Sequence, residues 1–226
     1  MSRAACRPLV LLAALAALLA GCGDDPAPDD ATGQRVPAEG TTGAVTVTAS
    51  SVVIGDPDAP ERVHVYQDLN CPHCKALHEE TAADLAAWAQ GGDVAVEFTV
   101  VDYLGPRTAH GFSTRGANLL ALVADVDPEA WPAVQQALLD LQPSSTTAEV
   151  TDEDLLAAAQ EAGADLGEDA AAALEGLAYS GWVEAATAQA AADGISYIPQ
   201  VWVDGELVEG ASHAETAALL RAAVSD

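Results

Sequence analysis

Two cysteines separated by two residues stand where a strand pattern changes into a helix pattern. Residues 62–67 are rich in β-branched and aromatic side chains, and Cys71 and Cys74 follow after a short polar loop. Apolar residues then recur at helical spacing from Leu77 to Trp88. A chain of this kind must fold with a strand that feeds a helix through a tight loop, and this loop places the first sulfur at the start of the helix.

A second strand pattern follows that helix. The pair Gly91-Gly92 ends the helix, and residues 93–101 read as a strong strand. Strand, helix and strand together predict a βαβ unit with a right-handed crossover and therefore a parallel pair in the sheet. Residues 45–48 and 51–54 predict two short strands before this unit.

The rest of the chain changes from strand to helix patterns and back again. From about residue 105 to residue 193 the strand signal gives way to Ala- and Leu-rich helical stretches. Strand patterns return at 198–203 and 206–209 around Asp204-Gly205, a strong hairpin signal. Ser212 and Glu215 form a predicted capping box that opens a final helix.

The N-terminus has the layout of an export signal. Arg3 and Arg7 precede an apolar run over residues 8–20, which is too short to span a bilayer of roughly 30 Å. The run ends in Leu-Ala-Gly-Cys22, which resembles the lipobox of bacterial lipoproteins and implies lipid on Cys22. We therefore expect a signal peptide over 1–21, a disordered tether over 22–43 and a folded domain over 44–226. An ordinary signal peptide that leaves Cys22 as a free thiol is the alternative.

The net charge and the number of cysteines exclude some classes of function. With 8 basic and 35 acidic side chains the net charge is -27, so a phosphate backbone would be repelled and nucleic-acid binding is not expected. Cys6 leaves with the signal peptide and lipid would occupy Cys22, so Cys71 and Cys74 remain for the folded domain.

The chemistry expected of the pair follows from its position. Unpaired N–H groups and the dipole at a helix start favour an anion, which lowers the pKa of a cysteine from about 8.5 to roughly 3.5–7.5. Pro72 suits the first helical position, and a protonated His73 would add positive charge beside the Cys71 sulfur. Cys74 lies further inside the helix and is expected to resolve a mixed disulfide formed at Cys71.

These residues resemble the active site of DsbA-like proteins of the thioredoxin superfamily. The resemblance rests on residues 71–74, on the strand before them, and on Ile198-Pro199, which is similar to the cis-proline that faces the cysteine pair. It implies an α/β, thioredoxin-like fold with an inserted helical subdomain over about 105–193. It also implies that Pro199 and the backbone of Ile198 bind substrate. One departure is Val65, where the superfamily often carries a buried carboxylate; Asp68 or Glu97 is a candidate replacement.

The resemblance implies a protein thiol-disulfide oxidoreductase that oxidises dithiols of exported proteins and is itself reoxidised by a membrane redox partner. No cofactor beyond the dithiol and no metal is expected. A disulfide reductase or isomerase using the same pair is the first alternative. A structural disulfide and a non-catalytic peptide- or metal-binding lipoprotein, with His73 or His78 as extra ligands, are the others. His64, His110 and His213 receive no predicted role.

Overall fold

The computed structural model describes residues 34–108, 110–145 and 148–224. The predicted signal peptide, Cys22 and the first part of the predicted tether lie outside the described residues. Within these ranges, no helix combines the length and the apolar character that crossing a membrane requires.

Seven strands form one mixed sheet in the described part of the chain. In spatial order they run β1-β2-β3-β5-β4-β6-β7, and β4 pairs in parallel with β5 and antiparallel with β6. The predicted parallel pair around the cysteine helix is therefore confirmed. The strands are β1 (Gly40–Thr42), β2 (Val45–Val47), β3 (Val52–Ile54), β4 (Glu61–Gln67), β5 (Val94–Val100), β6 (Gln200–Val203) and β7 (Glu206–Val208).

The α-helices cover both faces of this sheet. They are α1 (Pro72–Gly91), α2 (Phe112–Val126), α3 (Trp131–Asp140), α4 (Asp152–Glu161), α5 (Ala170–Glu175), α6 (Ser180–Ala192) and α7 (His213–Ala223). Helix α1 packs against α7 and β5. Successive β4 side chains point to opposite faces: Val65 shares a buried cavity with α1 residues, whereas Tyr66 packs beside Ala190 of α6. The cysteine helix and α6 therefore lie on opposite sides of β4.

The predicted helical insertion is confirmed, since α2 to α6 lie between β5 and β6. Helix α2 is buried on nearly every side, as its run of apolar residues requires. One hydrophobic cluster includes both sheet and insertion residues. At its centre the rings of Phe98 in β5 and Trp131 in α3 have centroids 5.5 Å apart. The insertion therefore shares its core with the sheet.

The predicted tether is wrong at its C-terminal end. Residues 40–42 form β1, an edge strand paired with β2, although all three residues are exposed. Upstream, the N–H of Arg35 donates to the carbonyl of Ala178 over 2.6 Å, and the N–H of Ala38 donates to Asp125 Oδ1 over 3.1 Å. These contacts order the segment without burying an apolar stripe, which is why the sequence pattern gave no sign of it.

The C-terminal elements follow their sequence signals. Asp204 and Gly205 have φ angles of 47° and 85°, the left-handed conformation that a two-residue hairpin turn requires. The hydroxyl of Ser212 accepts a hydrogen bond from the N–H of Glu215 over 3.2 Å at the start of α7. The Glu215 carboxylate binds the N–H of Ala211, so only half of the predicted capping box forms with Ser212 itself.

Candidate active site

Cys71 is the residue that precedes α1, and Pro72 is the first residue of that helix. The N–H of Cys71 donates to the carbonyl of Asp68, and the carbonyl of Cys71 accepts from the N–H of Lys75, both over 3.1 Å. Both thiols are free. The exposed fraction is 5% for Cys71 and 2% for Cys74, so both residues are buried and Cys71 is the more accessible of the two.

The environment of the Cys71 sulfur favours its thiolate. The hydrogen bond from the Cys74 thiol is the main cause, and the main-chain N–H groups of Cys74 and His73 act in the same direction against the opposing effect of burial; together they lower the Cys71 pKa to about 7. The Cys71 side chain makes no cap hydrogen bond of normal geometry. The N–H groups therefore act on it as oriented dipoles at the helix start.

Cys74 is held in the opposite state. Burial raises the pKa of the Cys74 thiol far above its ordinary value, and its hydrogen bond to Cys71 and the negative charge of Cys71 raise it further. The N–H of Asp68 opposes this rise, since it donates to Cys74 Sγ over 3.5 Å. The two sulfurs therefore have different roles. Cys71 is the nucleophile, and Cys74 keeps its proton until the charge on Cys71 is removed.

The Ile198–Pro199 loop lies opposite this sulfur. The Ile198–Pro199 peptide bond is cis, as the resemblance implies. The carbonyl of Ile198 is 3.9 Å from Cys71 Sγ. Strand β6 begins only at Gln200, so the backbone of Ile198 lies outside the sheet ladder beside the reactive sulfur.

The sequence of the chain matches a known protein family. A thioredoxin family model matches residues 47–222. The chain belongs to this thioredoxin family. No curated protein matches the sequence.

Solved structures of thioredoxin-family proteins share the fold. BdbD from Bacillus subtilis in its oxidised form is 20% identical, with a TM-score of 0.68, and the match covers 83% of this chain and 98% of that one. The MdbA thiol-disulfide oxidoreductase from Corynebacterium diphtheriae is 22% identical, with a TM-score of 0.64 over 85% and 100% of the two chains. Oxidised DsbA from Mycobacterium tuberculosis is 26% identical, with a TM-score of 0.61 over 80% and 92%. The chain is accordingly a DsbA-like member with a helical insertion, and its enzyme class is thiol-disulfide oxidoreductase.

A groove extends from this thioredoxin-family site between α1, the proline loop, the β6–β7 hairpin and the start of α7. Its volume is about 300 Å³, and its walls include His73, Pro199, Leu207 and His213. His73 Nδ1 and His213 Nε2 are 3.3 Å apart. The sequence pattern predicts that His213 lies at the start of the last helix and predicts no role for it. Only the packing of α7 on α1 brings it to His73.

Asp68 lies beneath the cysteine loop. Its Oδ1 accepts hydrogen bonds from Ser113 Oγ (2.5 Å) and the N–H of Asn70 (2.8 Å). Its Oδ2 accepts from the N–H of Leu104 over 2.9 Å. Burial raises the pKa of this carboxyl, while the three donors oppose that rise. Asp68 therefore joins the cysteine loop to the β5–α2 connection and to α2.

The other candidate carboxylate lies elsewhere. Glu97 Oε2 accepts from Arg62 Nη1 over 2.9 Å, and Glu97 Oε1 accepts from Ser51 Oγ over 2.6 Å. Its β4 neighbour in the ladder is His64, whereas Val65, at the position where the superfamily often carries a carboxylate, lines the cavity below Cys74. Glu97 therefore does not take that place.

The two histidines considered as metal ligands lie in different surroundings in the structure. His73 is exposed in the groove beside His213, whereas His78 is buried and its Nε2 is 2.6 Å from Gln136 Oε1. Across residues 34–108, 110–145 and 148–224, no three His, Cys, Asp or Glu side chains come close enough together to hold an ion.

Proposed function

We propose that the protein oxidises dithiols of exported proteins outside the cytoplasmic membrane, with Cys71 as the attacked sulfur and Cys74 as its partner. The supporting observation is the Cys71 sulfur itself, stabilised as a thiolate at the start of α1 and facing the Ile198 carbonyl at 3.9 Å. A stable thiolate is a good leaving group and makes the reduced enzyme the favoured product.

The proposed reaction has two exchanges. A client thiolate attacks Cys71 in the disulfide form, and Cys74 departs with the bonding electron pair and takes up a proton. The second client thiolate then attacks the client sulfur of the mixed disulfide, and Cys71 departs as a thiolate. The client has lost two electrons and the enzyme holds them as a dithiol, until a disulfide-bearing membrane partner removes them in the reverse sequence.

The groove supports binding of an extended client segment. Tyr197 and Leu207 are 44% and 41% exposed, and both line the groove. Exposed apolar side chains beside a reactive centre are suited to unfolded chains, whose own apolar residues are still uncovered. The backbone of Ile198, outside the ladder, is available to pair with such a segment by main-chain hydrogen bonds.

A specific observation also favours the reductase or isomerase alternative. The Cys71 pKa of about 7 is near the value of roughly 7 typical of thioredoxin, whereas DsbA has about 3.5. Relative to a free cysteine at about 8.5, this shift alone moves the potential by roughly 45 mV toward the oxidising side, at about 30 mV per pKa unit. The direction therefore depends on the other contributions to the potential.

Equilibration with glutathione decides the direction. We expect a reduction potential above about −200 mV, which is more oxidising than the potentials of the glutaredoxins. A value at or below that limit would assign the protein to reductive work. In parallel, a reduced peptide with two cysteines should be oxidised by the disulfide form, and Cys71→Ser should abolish this turnover. Peptide oxidation that proceeds at an unchanged rate with Cys71→Ser would show that the pair does not catalyse it and would instead support a non-catalytic binding protein.

The location is proposed from the sequence. The lipobox-like residues before Cys22 support lipid attachment, and attachment would keep the enzyme at the outer face of the membrane beside its reoxidant. The test is expression with labelled fatty acid, followed by fractionation. The native protein should carry label and sediment with membranes, whereas Cys22→Ser should lose the label. An unlabelled native protein would exclude the lipid anchor and leave the redox assignment unaffected.

A further inference from the structure

A small cavity lies below Cys74. It is formed by β4, α1, α7 and the start of β6, and its volume is about 10 Å³. A space of roughly 10–15 Å³ is the size that holds one water molecule, provided that polar groups line it. The polar side chains that line this cavity are Gln67, Cys74, His78 and Thr81.

The Gln67 amide supplies the cavity with a free donor. Gln67 is 1% exposed, and its Nε2 has no hydrogen-bond partner among the described residues. An unpaired buried amide is unfavourable, and a bound water would satisfy it. The Thr81 hydroxyl already donates to the carbonyl of Leu77 over 2.8 Å.

Besides Cys74, only His78 among the cavity-lining residues can titrate. It lies four residues after Cys74 and therefore on the same face of α1. Burial lowers its pKa, so the imidazole is neutral at pH 7. Its Nε2 donates to Gln136 Oε1 over 2.6 Å, since an amide oxygen only accepts. Nδ1 therefore keeps the lone pair that can take a proton.

The groups around His78 can support the charged form once it arises. Gln136 Nε2 donates to Asp140 Oδ2 over 3.1 Å, so the amide connects the imidazole to a carboxylate at the end of α3. Asp140 and, from α1 itself, Glu79 are the charges that raise the His78 pKa against the effect of burial. The cavity walls from β4, β6 and α7 contribute Val65, Gln67, Val201 and Leu220, none of them charged.

We propose that His78 is the proton acceptor for Cys74, through one water molecule that the Gln67 amide positions in this cavity. Attack by Cys74 on a mixed disulfide at Cys71 breaks the S–H bond of Cys74 and forms the Cys71–Cys74 bond. The bond from Cys71 to the client sulfur breaks, and the client leaves as a thiolate with that electron pair. The proton passes through the water to His78 Nδ1 and then to solvent.

Asp68 is the nearest competitor for this role. Its contact with Cys74 is made by the main-chain N–H, while its two carboxylate oxygens are occupied by three other donors. The His78 assignment rests on dithiol exchange at Cys71 and holds whether the enzyme oxidises or reduces its clients. It therefore stands or falls separately from the direction proposed above.

The test separates the two chemical steps. The reduced full chain is mixed with glutathione disulfide and quenched with acid at short intervals, and mass spectrometry resolves the mixed disulfide from the internal disulfide. Formation of the mixed disulfide reports attack by Cys71, and its decay reports attack by Cys74. For His78→Gln we expect the decay to slow about 100-fold, the lower end of the usual range for general base catalysis. The pH inflection of this decay should disappear, while the first step stays within about twofold.

Three further variants keep the result unambiguous. Gln67→Leu removes the water-positioning amide and should slow the decay about 10-fold, with the His78 inflection reduced in amplitude. His64→Gln changes a half-buried histidine on the opposite face of β4 and should leave both steps unchanged. An unaltered decay in folded His78→Gln and Gln67→Leu would overturn the proposal. A decay that is slowed by Asp68→Asn and unaffected by His78→Gln would overturn it as well and assign the proton to Asp68.

Discussion

The Cys74 thiol should account for much of the lowering of the Cys71 pKa. The variant Cys74→Ala tests this expectation. The hydrogen bond from this thiol is the main cause of the lowered Cys71 pKa of about 7. A hydrogen bond to a charged group contributes about 1.5–3 kcal/mol, and one pKa unit corresponds to about 1.4 kcal/mol. Removal of the donor should therefore raise the Cys71 pKa by about one to two units, to about 8–9.

The assay is the rate of iodoacetamide alkylation as a function of pH, because only the thiolate reacts. Cys74→Ser is the matched control, since its hydroxyl still donates, and its Cys71 pKa should stay within about half a unit of 7. Cooperative unfolding of both variants shows that each is folded. If Cys71 in Cys74→Ala still titrates near 7, the helix N–H groups alone stabilise the thiolate and the reasoning from the Cys74 thiol is refuted.

Three further predictions concern the pH dependence of stability, the packing at Gly210 and the hydrogen bonds of Asp68. Because the folded pKa of Cys71 is about 7 and the unfolded value about 8.5, its thiolate stabilises the reduced fold fully above about pH 8.5. This contribution is lost as the pH falls through 7, so the unfolding free energy of the reduced form should fall relative to the oxidised form in urea titrations across that window. Gly210→Ala should cost about 1–3 kcal/mol by thermal unfolding, since its Cβ would lie 2.7 Å from the main-chain nitrogen of Thr216; an unchanged midpoint would contradict this. Asp68→Ala should cost roughly 3 kcal/mol or more in urea unfolding, because it leaves three donors, including the Ser113 hydroxyl, without their acceptor. Asp68→Asn should cost less, and equal losses would argue against the hydrogen bonds as the cause.

Much of the fold follows from local sequence patterns. The strand before Cys71, the helix that ends at Gly91, and the hairpin at Asp204-Gly205 are predicted because each signal lies within a few residues of the element it specifies. Strand β1 is not predicted by such patterns because all three of its residues are exposed. Its only sequence trace is a short run of Gly and Thr, so the predicted tether extended too far into the domain.

The candidate site likewise combines features that are local in the sequence with contacts that arise only from packing. Local patterns are enough to predict that Cys71 begins a helix, that Cys74 lies inside it, and that Ile198-Pro199 precedes a late strand. Long-range packing is needed to bring His213 to His73 across 140 positions of sequence and to enclose a cavity below Cys74 with Gln67 and His78. Burial and hydrogen-bond partners depend on which helix faces pack on which strand faces. That choice is made by the whole core, and no short segment encodes it.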